Sequence, residues 1–250
     1  MNLLDAYDES EEIVKAEIFT RGQKKLPETA IVCFNADLIE EIKKREDFEE
    51  YSDTTVCGES IKIYKTKVND KDVILYKTLI GGPATASIME EIHSRGVKNF
   101  IFFGSCGELT SDLKKGAFII PTQAFRDEGT SYHYIPASDF VEVKTATKLA
   151  EIFDKYHIKY ELTKVWTTDA LYKETIKKTK SRIEQGCKVV EMECASIMAV
   201  SISRDINCYQ FLYTDDTLDG DSWDLRTLKS DRTFILKECL EIAFKIIQEI

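Results

Sequence analysis

The chain reads as an α/β fold with a mixed, largely parallel central sheet. Short apolar runs of strand character alternate along it with amphipathic runs of helical spacing, the pattern left by strand-helix-strand units. Two strand-like runs end in glycine turns, Gly81-Gly82-Pro83 and Gly104-Ser105-Cys106-Gly107, where backbone amides can face a ligand at a sheet edge. Glycines also often only turn the chain, so each turn alone is a weak signal. The 250 residues contain four Pro and eleven Gly, thinly spread, with no linker, repeat or low-complexity stretch. One domain over residues 1–250 is the expectation.

In chain order, a first strand is predicted over 30–34 and a helix over 37–45. Strands over 61–68 and 73–79 come next, the second leading through Gly81-Gly82-Pro83 into a helix over 84–95. A strand over 100–103 runs into the second glycine turn, and another is expected over 118–120. A helix over 145–156, a strand over 160–167 and a helix over 173–186 continue the alternation. A short strand at Lys188-Val189-Val190, a helix over 195–204 and an apolar strand ending at Thr214 follow. An amphipathic helix over 228–250 closes the chain.

With 34 Lys plus Arg against 44 Asp plus Glu, the net charge of −10 repels phosphate backbones and anionic membranes. Neither nucleic acid nor a membrane is an expected partner. The acidic start, MNLLDAYDESEEIVKAEIF, lacks a basic n-region and an apolar core, and no apolar run approaches ~18 residues, so a cytoplasmic location is expected. Seven Cys without paired CxxC spacing suit buried free thiols in a reducing compartment, and no metal site is predicted.

Two acidic clusters carry most of the functional signal. Glu191-Met192-Glu193 stands at a strand-to-helix junction, and Thr214-Asp215-Asp216 ends an apolar strand. Carboxylates at two such element ends can converge on a sugar and a heterocycle. Taken singly, Glu193 reads equally as a helix cap and Asp215 as the opening of a turn.

The order of Gly81-Gly82-Pro83, Gly104-Ser105-Cys106-Gly107, Arg126-Asp127-Glu128-Gly129-Thr130-Ser131, Asp169 to Tyr172, Glu191-Met192-Glu193 and Thr214-Asp215 resembles the nucleoside phosphorylase and nucleosidase superfamily. The resemblance implies a three-layer α/β/α domain assembled as a homo-oligomer, dimer to hexamer, that acts on a small-molecule nucleoside without a cofactor and with phosphate as a possible co-substrate. It implies that Glu193 accepts hydrogen bonds from the ribose hydroxyls, with Met192 as an apolar floor and Glu191 beside it. A carboxylate there would stabilise the positive charge that a sugar gains as its glycosidic bond breaks. Asp215 would serve the base, hydrogen-bonding or protonating a purine N7, with a pKa raised by Asp216 and a dry pocket. Trp166 would stack on the base or simply pack in the core. Ser105, with Gly104 and Gly82, would border the anion or water beneath the sugar. The Gln and Arg pair of uridine-specific members has no counterpart here, which points to a purine-like base.

The departures lie on the phosphate side. Where family phosphorylases carry Gly-Asp-Pro-x-x-Arg, this chain reads Phe34-Asn35-Ala36-Asp37-Leu38-Ile39. Phe102 stands where a second phosphate arginine is expected, and 53–58 contains no arginine for the third. At roughly 1.5–3 kcal/mol per charge-assisted hydrogen bond, two missing arginines weaken phosphate binding on the order of 10² to 10⁴-fold. The sequence therefore predicts cleavage of an N-glycosidic bond with either phosphate or water as nucleophile, or nucleoside binding without catalysis. Asp37 or Glu40 would polarise the water in the hydrolytic case, and Arg126 would be the substitute cation in the phosphorolytic one.

Overall fold

A computed structural model describes residues 2–56, 58–220, 222–226 and 232–250. In chain order the elements are α1 (Ala16–Phe19), β1 (Thr29–Cys33), α2 (Ala36–Ile42), β2 (Glu49–Val56), β3 (Glu59–Val68), β4 (Lys71–Lys77), α3 (Gly82–Ser94), β5 (Asn99–Glu108) and β6 (Phe118–Asp127). There follow α4 (Ser131–Tyr134), β7 (Phe140–Glu142), α5 (Ala146–Lys155), β8 (Tyr160–Thr168), α6 (Ile176–Glu184), β9 (Cys187–Glu191), α7 (Cys194–Arg204), β10 (Asn207–Thr217) and α8 (Thr233–Gln248). The start of the helix predicted over 228–250 lies outside the described residues, as does Cys57. The other six cysteines are free and buried.

All the strands join one mixed sheet. Its parallel part runs β4-β1-β5-β10, with a second parallel run β6-β8-β9, and β2 and β3 extend one edge antiparallel. Because β10 pairs with both β5 and β6, while β9 returns to the end of β5, the strands β5, β10, β6, β8 and β9 close into a ring. The central strands are apolar on both faces, as in β1, where Ala30, Ile31, Val32 and Cys33 are all fully buried. Helices α3, α4 and α7 pack together on one side, and α8 packs with α2 and α5 on the other, giving the three layers. No helix among the described residues is long and apolar enough to cross a membrane.

Two differences from the sequence reading matter for the site. The Gly104–Gly107 segment is not a turn; it continues β5 and pairs with β10 from Leu212 to Asp216. Nor does Asp215 lie beyond β10, because the strand runs on to Thr217 with a β-bulge between Thr214 and Asp216. Asp215 is the extra residue of that bulge.

Candidate functional site

The edge of β5 that faces β1 changes partner along its length. Pairing with β1 ends at Phe103, and pairing with β9 begins at Gly107. Among the described residues, Gly104, Ser105 and Cys106 are thus paired on one side only. The sheet splits there, at the carboxyl ends of parallel strands, which is where α/β folds leave a crevice. A cavity of about 210 Å³ fills the split, walled by those residues with Phe34, Ile80, Leu171, Glu174, Met192, Glu193, Asp216 and Trp223.

Glu193 reaches this wall from the start of α7. It occupies the N-cap position but makes no side-chain cap. Instead its Oε1 accepts a 2.6 Å hydrogen bond from the Gly81 amide, whose φ of +96° is the left-handed backbone a glycine tolerates. The helix is capped by Glu191: Oε2 accepts from the amides of Glu193 and Cys194 at 2.8 and 2.7 Å, and Oε1 accepts from the Thr167 hydroxyl at 2.6 Å. Glu191 therefore borders the cavity with both oxygens already engaged by the protein. Burial raises the pKa of both carboxyls, and the neighbouring Glu191 charge raises that of Glu193 further, while three hydrogen bonds pull Glu191 back.

The cavity is walled as well by Asp216, Glu174, Leu171 and Trp223. Asp216 accepts a hydrogen bond from the Trp223 indole, and burial raises its pKa. Glu174 is pushed up to about 7, chiefly by burial and then by Asp216, with Lys178 opposing. Asp215 is not in the wall; its carboxylate pairs with Arg232 Nη1 at 2.9 Å. Glu174 and Trp223 carry no local sequence signal and went unpredicted, and Leu171 lies in the Asp169 to Tyr172 segment of the resemblance without a site role having been expected of it. Only the fold brings them to the cavity.

Other expected site residues fall elsewhere. Trp166 is fully buried among Leu109, Phe125, Cys187 and Val190, with its indole N–H on Asp127 at 3.1 Å, so it belongs to the core and not to the cavity wall. Arg126 is buried too. Its guanidinium donates to Ser131 Oγ, Ser138 Oγ and the Pro136 and Ile135 carbonyls and lies 4.0 Å from the Tyr132 ring, which leaves it engaged away from the site. Asp37 is exposed on α2, and Glu40 is paired there with Lys43 at 2.7 Å. Neither borders the cavity. Gly82 does not border it either; a Cβ at this position would stand 2.2 Å from Ser196 Oγ, so the glycine serves the close approach of α3 to α7.

On the anion side, apolar side chains stand at the expected glycine position, Phe34, and at an expected arginine position, Phe102. The Phe34 ring lies against Gly104, 3.0 Å from where a Cβ would be. Leu38 is core, and Phe102 is core, stacked on Phe100 with centroids 6.0 Å apart. The described wall holds four carboxylates, Glu174, Glu191, Glu193 and Asp216, and no Lys, Arg or His.

A profile of the phosphorylase superfamily matches residues 28–250. The chain belongs to the phosphorylase superfamily. Among its relatives, a guanosine phosphorylase from Halorubrum lacusprofundi is 24% identical over 169 residues, covering 67% of this chain and 70% of that protein. A DeoD-type purine nucleoside phosphorylase from Bacillus cereus is 27% identical over 178 residues, covering 69% of this chain and 74% of that protein. In fold, the chain is similar to a purine nucleoside phosphorylase from Toxoplasma gondii solved in complex with immucillin-H, with a TM-score of 0.73, 19% identity, and 89% and 90% of the two chains covered. The α/β class and the three flanked layers agree with that likeness.

Proposed function

We propose that this member of the superfamily cleaves the N-glycosidic bond of a purine-like nucleoside, with water in preference to phosphate as the nucleophile. The observation that carries this reading is the cavity wall itself: four carboxyl side chains, the Ser105 hydroxyl, and no described cation. A phosphate dianion entering this partly dry wall would lose its water with no described cation to replace it, whereas an uncharged nucleoside and a water carry no such cost.

In this reading Glu193, held by Gly81, takes the ribose hydroxyls, and Met192 lies under the sugar. As the bond to the base lengthens, positive charge grows on the sugar, and the acids stabilise it more than they do the neutral ground state. Asp216, with its raised pKa, supplies a proton to the departing base, and Asp215 supports it from behind through the strand. Water, held at the Ser105 side of the wall, adds at the carbon the base leaves, and the proton it releases restores the Asp216 carboxyl. Products are free base and free sugar. A homo-oligomer, dimer to hexamer, belongs to the same reading and is measurable by sedimentation.

The test is cleavage of inosine, adenosine, methylthioadenosine and uridine by wild type, Glu193→Gln, Asp216→Asn and Asp215→Asn. Purine nucleosides should be cleaved and uridine spared, with a loss of about 10²-fold or more in Glu193→Gln and Asp216→Asn and a smaller loss in Asp215→Asn. If Asp215→Asn carries the larger loss, the roles of the two aspartates are exchanged. Binding without turnover of any purine nucleoside would leave a nucleoside-binding protein instead.

A further inference from the structure

A second cavity of about 290 Å³ lies beside the first, and the two share Glu174 and Trp223 as a common wall. The remaining lining is mixed: Leu109, Leu218 and, from α6, Ile176 and Ile183 are aliphatic, while Thr179, Lys180, Asp219 and Ser222 are polar. We infer that this side cavity accepts an apolar substituent carried on the base of the nucleoside, with Trp223 as the partition that such a substrate displaces. The inference rests on the nucleoside reading and names the substrate class within it.

Position supports it first. The shared Trp223 is hydrogen-bonded to Asp216, the residue proposed to serve the base. Glu193, proposed to hold the sugar, is anchored on Gly81 and borders only the first cavity, so the side cavity lies beside the base and not beside the sugar. Size supports it next. At about 210 Å³ the nucleoside cavity is smaller than the roughly 300 Å³ at which small-molecule sites usually begin, so a shift of the shared wall would give a whole nucleoside the room it lacks. The side cavity exceeds the ~150 Å³ that is enough to admit benzene, which gives the substituent room up to about the size of a phenyl ring.

Trp223 is the part of the wall placed to move. It is 44% exposed, and its indole N–H donates to the Asp216 carboxylate. When Asp216 carries the proton that it gives to the base, it is a weaker acceptor for the indole N–H than the carboxylate is. The indole is then held less firmly and can turn toward solvent, which joins the two cavities. The four aliphatic side chains can bury an apolar group without desolvating a polar atom, whereas a polar group would have to reach Thr179, Lys180, Asp219 or Ser222 to recover the hydrogen bonds it loses.

The test compares binding of adenosine and N6-benzyladenosine by calorimetry, using the full chain as wild type, Ile183→Trp and Ile176→Trp. Both substitutions fill the side cavity from partly exposed positions outside the nucleoside wall, and thermal melting of each reports whether it is folded. Wild type should bind the benzyl derivative at least as tightly as adenosine. Each filled variant should bind it about tenfold more weakly, a difference of about 1.4 kcal/mol, with adenosine affinity unchanged. Adenosine binding with exclusion of the benzyl derivative by wild type overturns the side-cavity assignment and leaves the proposed function standing. So does equal treatment of the two ligands by both filled variants. If neither nucleoside binds wild type, the nucleoside reading fails and this inference with it.

Discussion

Replacing Gly82 by Ala should destabilise the protein by about 3–5 kcal/mol and loosen the anchor of Glu193. A Cβ at this position falls 2.2 Å from Ser196 Oγ, 3.1 Å from Ser196 Cβ and 3.2 Å from Thr130 Oγ1. Ser196 is fully buried on α7, and its hydroxyl donates at 2.7 Å to Glu128, which also accepts from the Ser131 amide at 3.0 Å. To make room, the serine must abandon that hydrogen bond or α3 must move off α7. Overpacking of a buried contact costs about 1–3 kcal/mol, and a lost hydrogen bond to a charged group about 1.5–3 kcal/mol. For a chain of this length the sum lowers the melting temperature by roughly 10 °C. Because Gly81 precedes the displaced residue and holds Glu193 at 2.6 Å, nucleoside turnover should fall as well. Scanning calorimetry of Gly82→Ala, Ser196→Ala and the double variant separates the causes. The hydroxyl is lost only once in the double variant, so its cost should be less than the sum of the singles by more than 1 kcal/mol, well outside the ~0.5 kcal/mol expected of independent sites. Additive costs, or a Gly82→Ala protein that melts within about 1 °C of wild type, would refute the close-approach account.

The remaining predictions concern the acids and the buried arginine. Glu174 binds its proton more tightly in the folded protein than in the unfolded chain, since its pKa rises from 4.5 to about 7. The stabilisation from that proton is complete below the unfolded value and is lost as pH rises through the folded one. Allowing for solvent screening of a partly exposed group, Glu174→Gln should gain about 1–2 kcal/mol on wild type between about pH 5 and about pH 8 in urea titrations. A pH-independent difference would contradict this. Glu191→Ala orphans two buried amides at the start of α7 and should cost about 2–4 kcal/mol, whereas Glu193→Gln should leave the melting temperature nearly unchanged while abolishing turnover. The reverse pattern would exchange their roles. Arg126→Lys loses the planar fork that spans Ser131, Ser138 and Pro136 and should cost about 2–4 kcal/mol without altering any response to phosphate. A changed phosphate response in a protein of unchanged stability would return Arg126 to the site.

The fold was legible where burial leaves a one-dimensional signature. Strands such as β1, β5 and β10 are apolar on both faces, and helices such as α5 keep an apolar stripe, so local patterns located them. The edge strand β2, Glu-Glu-Tyr-Ser-Asp-Thr-Thr-Val, is mostly exposed and was not found, because its stability comes from pairing with β3. The Gly104–Gly107 segment misled for a related reason. Glycine there admits the Phe34 ring, while the strand's partner, β10, lies about a hundred residues further on. In the site, the acidic clusters were visible but their division of labour was not. Glu191 and Glu193 differ by which one meets the amides of α7, and Asp215 and Asp216 by a bulge, and neither has a sequence signature. The two tryptophans divided the same way: Trp166 packs in the core while Trp223 reaches the cavity. The expected loss of a phosphate-side arginine, read from Phe102, has a concrete counterpart in the core packing of that side chain, and Phe34, at the expected glycine position, packs on Gly104.

The measurement closest to the central claim is the fate of the sugar. Inosine or adenosine is incubated with the protein in ¹⁸O-labelled water, with and without phosphate, and the sugar product is analysed by chromatography and mass spectrometry. Free ribose carrying the label, formed at the same rate in both conditions and lost in a folded Glu193→Gln variant, is the result predicted by a cavity walled by acids. Ribose 1-phosphate that forms only when phosphate is present would contradict it.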